Sequence, residues 1–458
     1  MVFGGLVVIA LFGALIGPWF VNWNDYKTTF EAEAEKILGR PVQVVGSASA
    51  TLLPSPSLTF EQVAVGDADG TPMMMVDRFA VTIELMPLLQ GEFRILSMRL
   101  DRPHLRITVG DDGRLDWQAR NEASKQLDPD KIVLERLEIA DGHIDYSDRA
   151  AETELAFDGI NAVVEARSLF GPWRIEGSYL EDGVAVPFRF ATGRRLDDGT
   201  LRIKSDLSPA GWPVALAADG VLGTGEDGLY YDGTYNLTEI VPAAASPETG
   251  ETAEADESAG WRSEGKFRLT RRQLAITQAV LSEGPAERPY SIAGSLAVDL
   301  GHKPRFEAHA SARQIDLDRS LGKGPTEPVE VGVATKSLVD WLVNSFVPPI
   351  PGSVFFNVPG IVVGGAVIQD VAFEARPTIG GWRLASFNAS LPGRATLEAR
   401  GVLATDFEVG FAGNIRLVVN QPAIFATWWR GKSHTGAGRR LGPFVFSGRA
   451  ELSPRQFA

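Results

Sequence analysis

The chain has 458 residues, 44 basic against 58 acidic side chains, and a formal net charge of −14. That charge, with no clustered positive field, excludes nucleic acid as a partner. The complete lack of Cys excludes disulfide frameworks, thiolate zinc sites and cysteine nucleophiles.

No charged residue occurs from Met1 to Asn24. At about 1.5 Å per residue such a run spans a hydrocarbon core of about 30 Å, so residues 1–24 are expected to form a transmembrane anchor. Trp19 and Trp23 fall where an interfacial aromatic belt lies. A cleaved signal peptide fits less well, because the apolar run exceeds a usual h-region and no convincing A-x-A site follows directly. The flanking charges do not set an orientation. Residues 25–40 follow as a juxtamembrane helix, with Tyr26, Phe30, Ile37 and Leu38 on one face and a stop at Gly39 before Pro41.

From Val42 the period becomes two. In "RFAVTIEL" the residues Phe79, Val81, Ile83 and Leu85 share a face, and in "LRITV" Leu105, Ile107 and Val109 do the same. The alternation continues through Trp173/Ile175, Leu201/Ile203, Phe306/Ala308 and Phe407/Val409/Phe411. Turn signals stand at 111–113 ("DDG"), 140–142 ("ADG") and 197–199 ("DDG"). Such strands make mostly antiparallel sheets with one apolar and one polar face, so the fold is mainly β.

Two segments break the pattern. Residues 242–260 are acidic, without a base or a large apolar residue, and read as a disordered linker or loop. In "SLVDWLVNSFVPP" the residues Leu338, Trp341, Leu342 and Phe346 recur at helical spacing, which predicts a covering helix near 335–347. "GPWRIEGSYLEDGVAVPFRFATG" and "GGWRLASFNASLPGRATLEARGVL" share a loose strand–turn–strand pattern and predict two similar hairpins.

Candidate chemistry is sparse. His143, Asp145 and Asp148 in "DGHIDYSDRA" have the residue types of a divalent-cation site, and His104 with Asp101 those of an acid/base pair. Both groups also fall where a turn or the wet face of a strand puts polar residues. The reading is therefore no catalytic residue, no metal, no cofactor and no enzyme. Arg102 and Arg106 project from the polar face toward acids on a neighbouring strand. What stands out is the amount of alternating apolar surface, which either fills a sandwich core or lines a curved, open sheet that binds acyl chains.

The N-terminal span, the helix ending in "GRPV", "LLPSPSLTFEQVAVGD", "DRFAVTIELMPLLQGEFRILSMRLDRPHLRI" and "DDGRLDW" resemble the start of AsmA-like proteins of Gram-negative bacteria. "FEAHASARQIDLDR" and the "WRLASFNASLPGRATLEARGVL" segment are similar to that family's middle region. The resemblance implies an inner-membrane anchor with the bulk of the chain in the periplasm, and a long, curved β-groove like that of chorein-like bridge proteins. It implies phospholipid transfer between the inner and outer membranes, or outer-membrane biogenesis. A membrane-tethered β-scaffold for envelope assembly factors is the alternative. Phospholipid, the inner membrane, and the outer membrane or envelope proteins are the expected partners. On that reading the groove runs through 41–241 and continues through 261–458, lined by Phe79, Val81, Ile83, Leu85, Leu105, Ile107 and Val109. The family's basic N-terminal tip is missing, and the chain stops at "ELSPRQFA" where members commonly continue, as a fragment would.

Overall fold

The computed structural model describes residues 21–53, 55–66, 71–84, 86, 95–110, 134–149, 152–166, 171–196, 198–209, 213–225, 228–240, 260–283, 290–324, 327–343, 347–405, 410–431 and 442–452. The expected anchor lies outside these residues except for its last four, and the acidic segment lies outside them except for Gly260. No helix among the described residues is long and apolar enough to cross a membrane. The chain divides into two units, Met1–Ile240 with Leu269–Arg271, and Val241–Arg268 with Arg272–Ala458.

The fold is mostly β, as the alternation predicts. In the first unit a 3-10 turn (Trp23–Tyr26) leads into α1 (Lys27–Leu38), then β1 (Val42–Val44), β2 (Ala48–Thr51), β3 (Ser57–Val65), β4 (Met74–Ile83), β5 (Ile95–Val109) and β6 (Leu134–Asp148). There follow β7 (Thr153–Ala166), β8 (Trp173–Glu181), β9 (Val184–Thr192), β10 (Leu201–Leu207), β11 (Val214–Gly225) and β12 (Gly228–Glu239). β3 pairs with both β1 and β2, and from β3 to β12 each strand pairs with the next. All these pairings are antiparallel except β5 with β6, which run parallel.

α1 stops at Gly39, whose φ of 65° places it in the left-handed region that ends helices. The face it buries differs from the expected one. Phe30 stacks on Phe60 with ring centroids 3.9 Å apart, and Phe30 and Ala34 close the cluster of Val42, Val44, Phe60, Val63, Val65 and Val76. Tyr26 and Leu38 are exposed. The backbone of Val44 donates to Glu31 Oε1 at 2.7 Å and that of Ala48 to Asn24 Oδ1 at 3.1 Å, so polar contacts to β1 and β2 fix which side of the helix turns inward.

The "ADG" at 140–142 is not a turn but lies inside β6. Asp141 has φ 54°, and Gln62 in β3, Arg102 in β5 and Gly159 in β7 have φ 53°, 48° and 60°. One left-handed residue within a strand breaks the two-residue alternation, so the apolar face is carried by Met98 and Leu100 and then by Pro103, Leu105, Ile107 and Val109. Met74, the partner of Leu105, packs with Phe79 and Leu100 against one buried cluster, so the face is continuous across the break. By contrast, Asp198 and Gly199 of the "DDG" at 197–199 form a turn in the β9–β10 connection, where Leu196 N–H donates to Thr200 O at 2.9 Å; residue 197 lies outside the described residues.

The second unit contains β13 (Trp261–Thr270) except for its last two residues, which belong to the first unit, then β14 (Gln273–Glu283), β15 (Tyr290–Asp299), β16 (Arg305–Ser311), β17 (Ile315–Asp316), α2 (Leu317–Ser320) and α3 (Val331–Val343). It continues with β18 (Gly352–Val363), β19 (Ala366–Thr378), β20 (Gly381–Leu391), β21 (Ala395–Ala404), β22 (Gly410–Val419), α4 (Pro422–Arg430) and β23 (Phe444–Leu452). β14 to β16 pair in sequence, β16 and β17 run parallel to β18, and β18 to β23 pair in sequence. The two segments with the shared pattern are the hairpins β8–β9 and β20–β21.

α3 begins four residues before the expected boundary. Its Val331 and Ala334, with Val329, Val363 and Trp428 of α4, form the buried cluster there, whereas Leu338 is 48% exposed. Trp428 Nε1 donates to Val363 O at 2.9 Å, and the buried Asp318 carboxylate accepts the N–H groups of Val329, Gly364 and Gly365. These contacts recruit the first turn of α3 rather than the Leu338 stripe.

Candidate functional site

Register partners in a sheet point to the same side, so the ladder can be read across strands. One rung of the first unit runs Phe60, Phe79, Leu100, Ile139, Ala162, Gly177, Phe188, Leu207, Leu216, Leu237. It crosses ten strands, β3 to β12, without a polar side chain. Beside it run Leu58, Val81, Met98, Leu137, Val164, Ile175 and Phe190. At about 4.8 Å per strand, the nine steps from β3 to β12 make a track of roughly 40 Å measured along the ladder.

This face is incompletely covered. Phe79, Leu100, Ile139, Phe188, Leu207, Leu216 and Leu237 are all only half-buried. In β10 the apolar alternates Leu201, Ile203 and Leu207 are half-buried while Arg202, Lys204 and Asp206 are exposed. A second sheet packed face to face would take such residues out of water. The opposite face is polar and laced with ion pairs, including Arg102–Asp77 at 2.7 Å, Arg99–Glu138 at 3.2 Å and Arg202–Asp219 at 2.8 Å.

Of the expected lining residues, Phe79, Val81, Ile83, Leu105, Ile107 and Val109 lie in β4 and β5; Val81 and Val109 are buried and the other four half-buried. Leu85 lies outside the described residues. The alternation did not reveal the extension of this face through Leu137, Ile139, Val164, Phe188 and Phe190, which requires the pairing. It also did not reveal that Asp148 shares the face of Val109, its partner in β6. Asp148 is 1% exposed and binds Arg271 twice, Arg271 Nε to Oδ2 at 2.8 Å and Nη2 to Oδ1 at 2.9 Å.

The second unit repeats the plan. Gly294, Ala310, Phe356, Phe373, Phe387, Ala399 and Ile415 form one rung, and Phe356 and Phe373 stack at 5.0 Å. An open concavity of about 660 Å³ lies mainly against the opposite, more polar face of these strands, where Ser295, Phe355, Asn357, Glu374 and Asn388 contribute to its wall.

The polar residues regroup relative to their expected pairings. Asp101 pairs with Arg99 at 2.7 Å, not with His104, and Asp148 has turned to the apolar face. His104 instead meets Asp145, Nε2 to Oδ2 at 2.6 Å; His143 meets the other oxygen, Nε2 to Oδ1 at 3.0 Å. Asp158 of β7 holds His143 Nδ1 at 2.5 Å. Burial pulls the His143 pKa down, but the hydrogen bonds to Asp145 and Asp158 outweigh it and the net direction is up. The His104 hydrogen bond holds the Asp145 carboxyl below its usual range.

Fold and face together define a β-protein built on long sequential ladders, with one apolar side left largely open in each unit. The AsmA family model matches residues 1–180, and over that stretch the chain is AsmA-like. The later segments that resemble the family's middle region lie outside this match. Neither the curated proteins nor the solved structures contain a match to the chain.

Proposed function

We propose that the chain carries phospholipid in the bacterial envelope, with acyl chains lying along the apolar face and headgroups in water, as part of phospholipid transfer between the inner and outer membranes or of outer-membrane biogenesis. Residues 1–24 anchor it in the inner membrane and the remainder works in the periplasm. No catalytic residue or cofactor enters this mechanism. The observation that carries it is the ten-strand rung from Phe60 to Leu237, apolar throughout yet mostly half-buried. Large apolar surface without a covering layer marks lipid or partner sites, and the AsmA-like pattern of residues 1–180 supports an envelope role.

The energetics suit a carrier. Each buried methylene contributes about 0.8 kcal/mol, so ten of them give about 8 kcal/mol before ordering costs. A rung of similar apolar groups in every strand leaves little to distinguish one position from the next, which permits sliding.

The full chain, purified in a detergent that exchanges readily, is expected to retain phospholipid detectable by mass spectrometry. Ile83→Asp and Ile107→Asp place a carboxylate on the apolar face and are expected to reduce retained lipid at least tenfold. A lipid-free chain, or lipid retained equally by both variants, would reject carriage and leave the scaffold reading.

A further inference from the structure

The geometry points to a transition-metal site on the polar face of β5 and β6, in which His104 Nε2, His143 Nε2 and the Asp145 carboxylate bind a zinc-like divalent cation and Asp158 orients His143. The ladder builds the cluster. His104 and His143 are partners in the parallel β5–β6 pairing, and Asp145 follows two residues later on the same face. The two imidazoles meet edge to face, with ring centroids 4.5 Å apart and planes at 84°. One ligand atom from each of the three residues lies within 4.8 Å of the other two. Zinc bonds of about 2.0–2.2 Å require such atoms to close to roughly 3.3 Å, a shift within the reach of side-chain rotation.

Asp158 supplies an independent observation. A ligating imidazole characteristically gives its second ring N–H to a carboxylate, which fixes the tautomer and points the free nitrogen at the metal. Asp158 takes Nδ1 of His143 at 2.5 Å and leaves Nε2 directed at Asp145. The β6–β7 ladder makes this possible, because its register shifts around Gly142 bring Asp158 opposite His143. Elsewhere on this face carboxylates meet guanidinium groups, as in Arg102–Asp77 and Arg202–Asp219; here two carboxylates converge on two imidazoles. Arg106 lies opposite Asp145 in the ladder, so with neutral imidazoles the two carboxylates still outnumber the adjacent cation.

The donor set selects the metal class. Two imidazoles and one carboxylate suit zinc and its transition-metal neighbours, and are too poor in oxygen for calcium or magnesium. The side chains of His104, His143 and Asp145 are 46%, 31% and 40% exposed, so a fourth, exchangeable position faces solvent. Such a site binds moderately and releases its metal.

Calorimetric titration of the metal-stripped full chain with zinc chloride tests the inference, alongside a cobalt(II) titration read by visible absorption. One zinc per chain is expected, with the intense visible bands of tetrahedral cobalt. His143→Gln and Asp145→Asn are expected to weaken binding at least 100-fold and remove the bands, while His309→Gln, on a different strand, leaves both unchanged. Asp158→Asn is expected to weaken binding roughly 10- to 100-fold; unchanged affinity there would refute the orienting role. No binding by the unaltered chain, or binding equally retained by His143→Gln and Asp145→Asn, would overturn the site. The cobalt spectrum of the unaltered chain decides the matter even if a variant fails to fold.

Discussion

Asp148 is the charge most committed to the fold. It sits at 1% exposure on an otherwise apolar face, and Arg271 binds both its oxygens. Removing one member of such a pair strands the other out of water, which costs about 3–5 kcal/mol. Asp148→Asn is therefore expected to lower the stability of the first unit by about that amount, read as a shift in its urea midpoint. Exchanging both residues for apolar ones of similar size is expected to be far milder, because no uncompensated charge remains. The His143 cluster behaves differently because it is wet. A histidine whose folded pKa lies above its ordinary value near 6.5 stabilises the fold fully below that value, and the contribution is lost as pH rises through the folded pKa. Asp145, held low, contributes above the ordinary carboxylate range and loses its contribution as pH falls through its lowered pKa. With a chelator present, the urea midpoint of the first unit is expected to fall as pH climbs past about 6.5. With zinc present the trend should reverse, because the metal takes the neutral imidazole.

At the scale of the element, glycines mark where neighbouring strands approach closely. Gly220 and Gly233 are partners on the apolar face of β11 and β12, and Gly401 and Gly413 are partners on that of β21 and β22. A Cβ on Gly233 would lie 2.2 Å from Asp219 O, and one on Gly413 would lie 2.2 Å from Arg400 O. Gly233→Ala and Gly413→Ala are each expected to cost about 1–3 kcal/mol, measured by denaturant unfolding, since the ladder must open to admit the methyl group. Element type was legible in the sequence, because alternation such as that of Leu105, Ile107 and Val109 survives any tertiary context. The breaks in alternation were not. Gln62, Arg102 and Asp141 are ordinary L-residues at positive φ, and only the pairing of neighbouring strands holds them there. The same gap explains the site. Sequence order groups His143 with Asp145 and Asp148 and sets His104 beside Asp101. The parallel pairing of β5 with β6 instead joins His104 to His143, and ordinary alternation along β6 puts Asp148 on the face of Ile144 and Tyr146, opposite His143 and Asp145.

Across the whole molecule, each unit carries the same division of labour, a polar face held by ion pairs and an apolar face left half-covered. In the first unit α1 closes the face over β1–β4, and in the second α3 and α4 pack with Val363 and Leu391 of β18 and β20. The AsmA match lies within the first unit, so the second unit's part in the proposed function rests on its own rung, from Gly294 to Ile415. Carriage of lipid by this face is the central claim. Its most direct test replaces residues 104–109 one at a time with a photoreactive amino acid and asks which positions crosslink phospholipid in envelope membranes. Crosslinks at the half-buried positions 105 and 107, with none at 104, 106 and 108, are the expected result; lipid captured on both faces alike, or on neither, would contradict it.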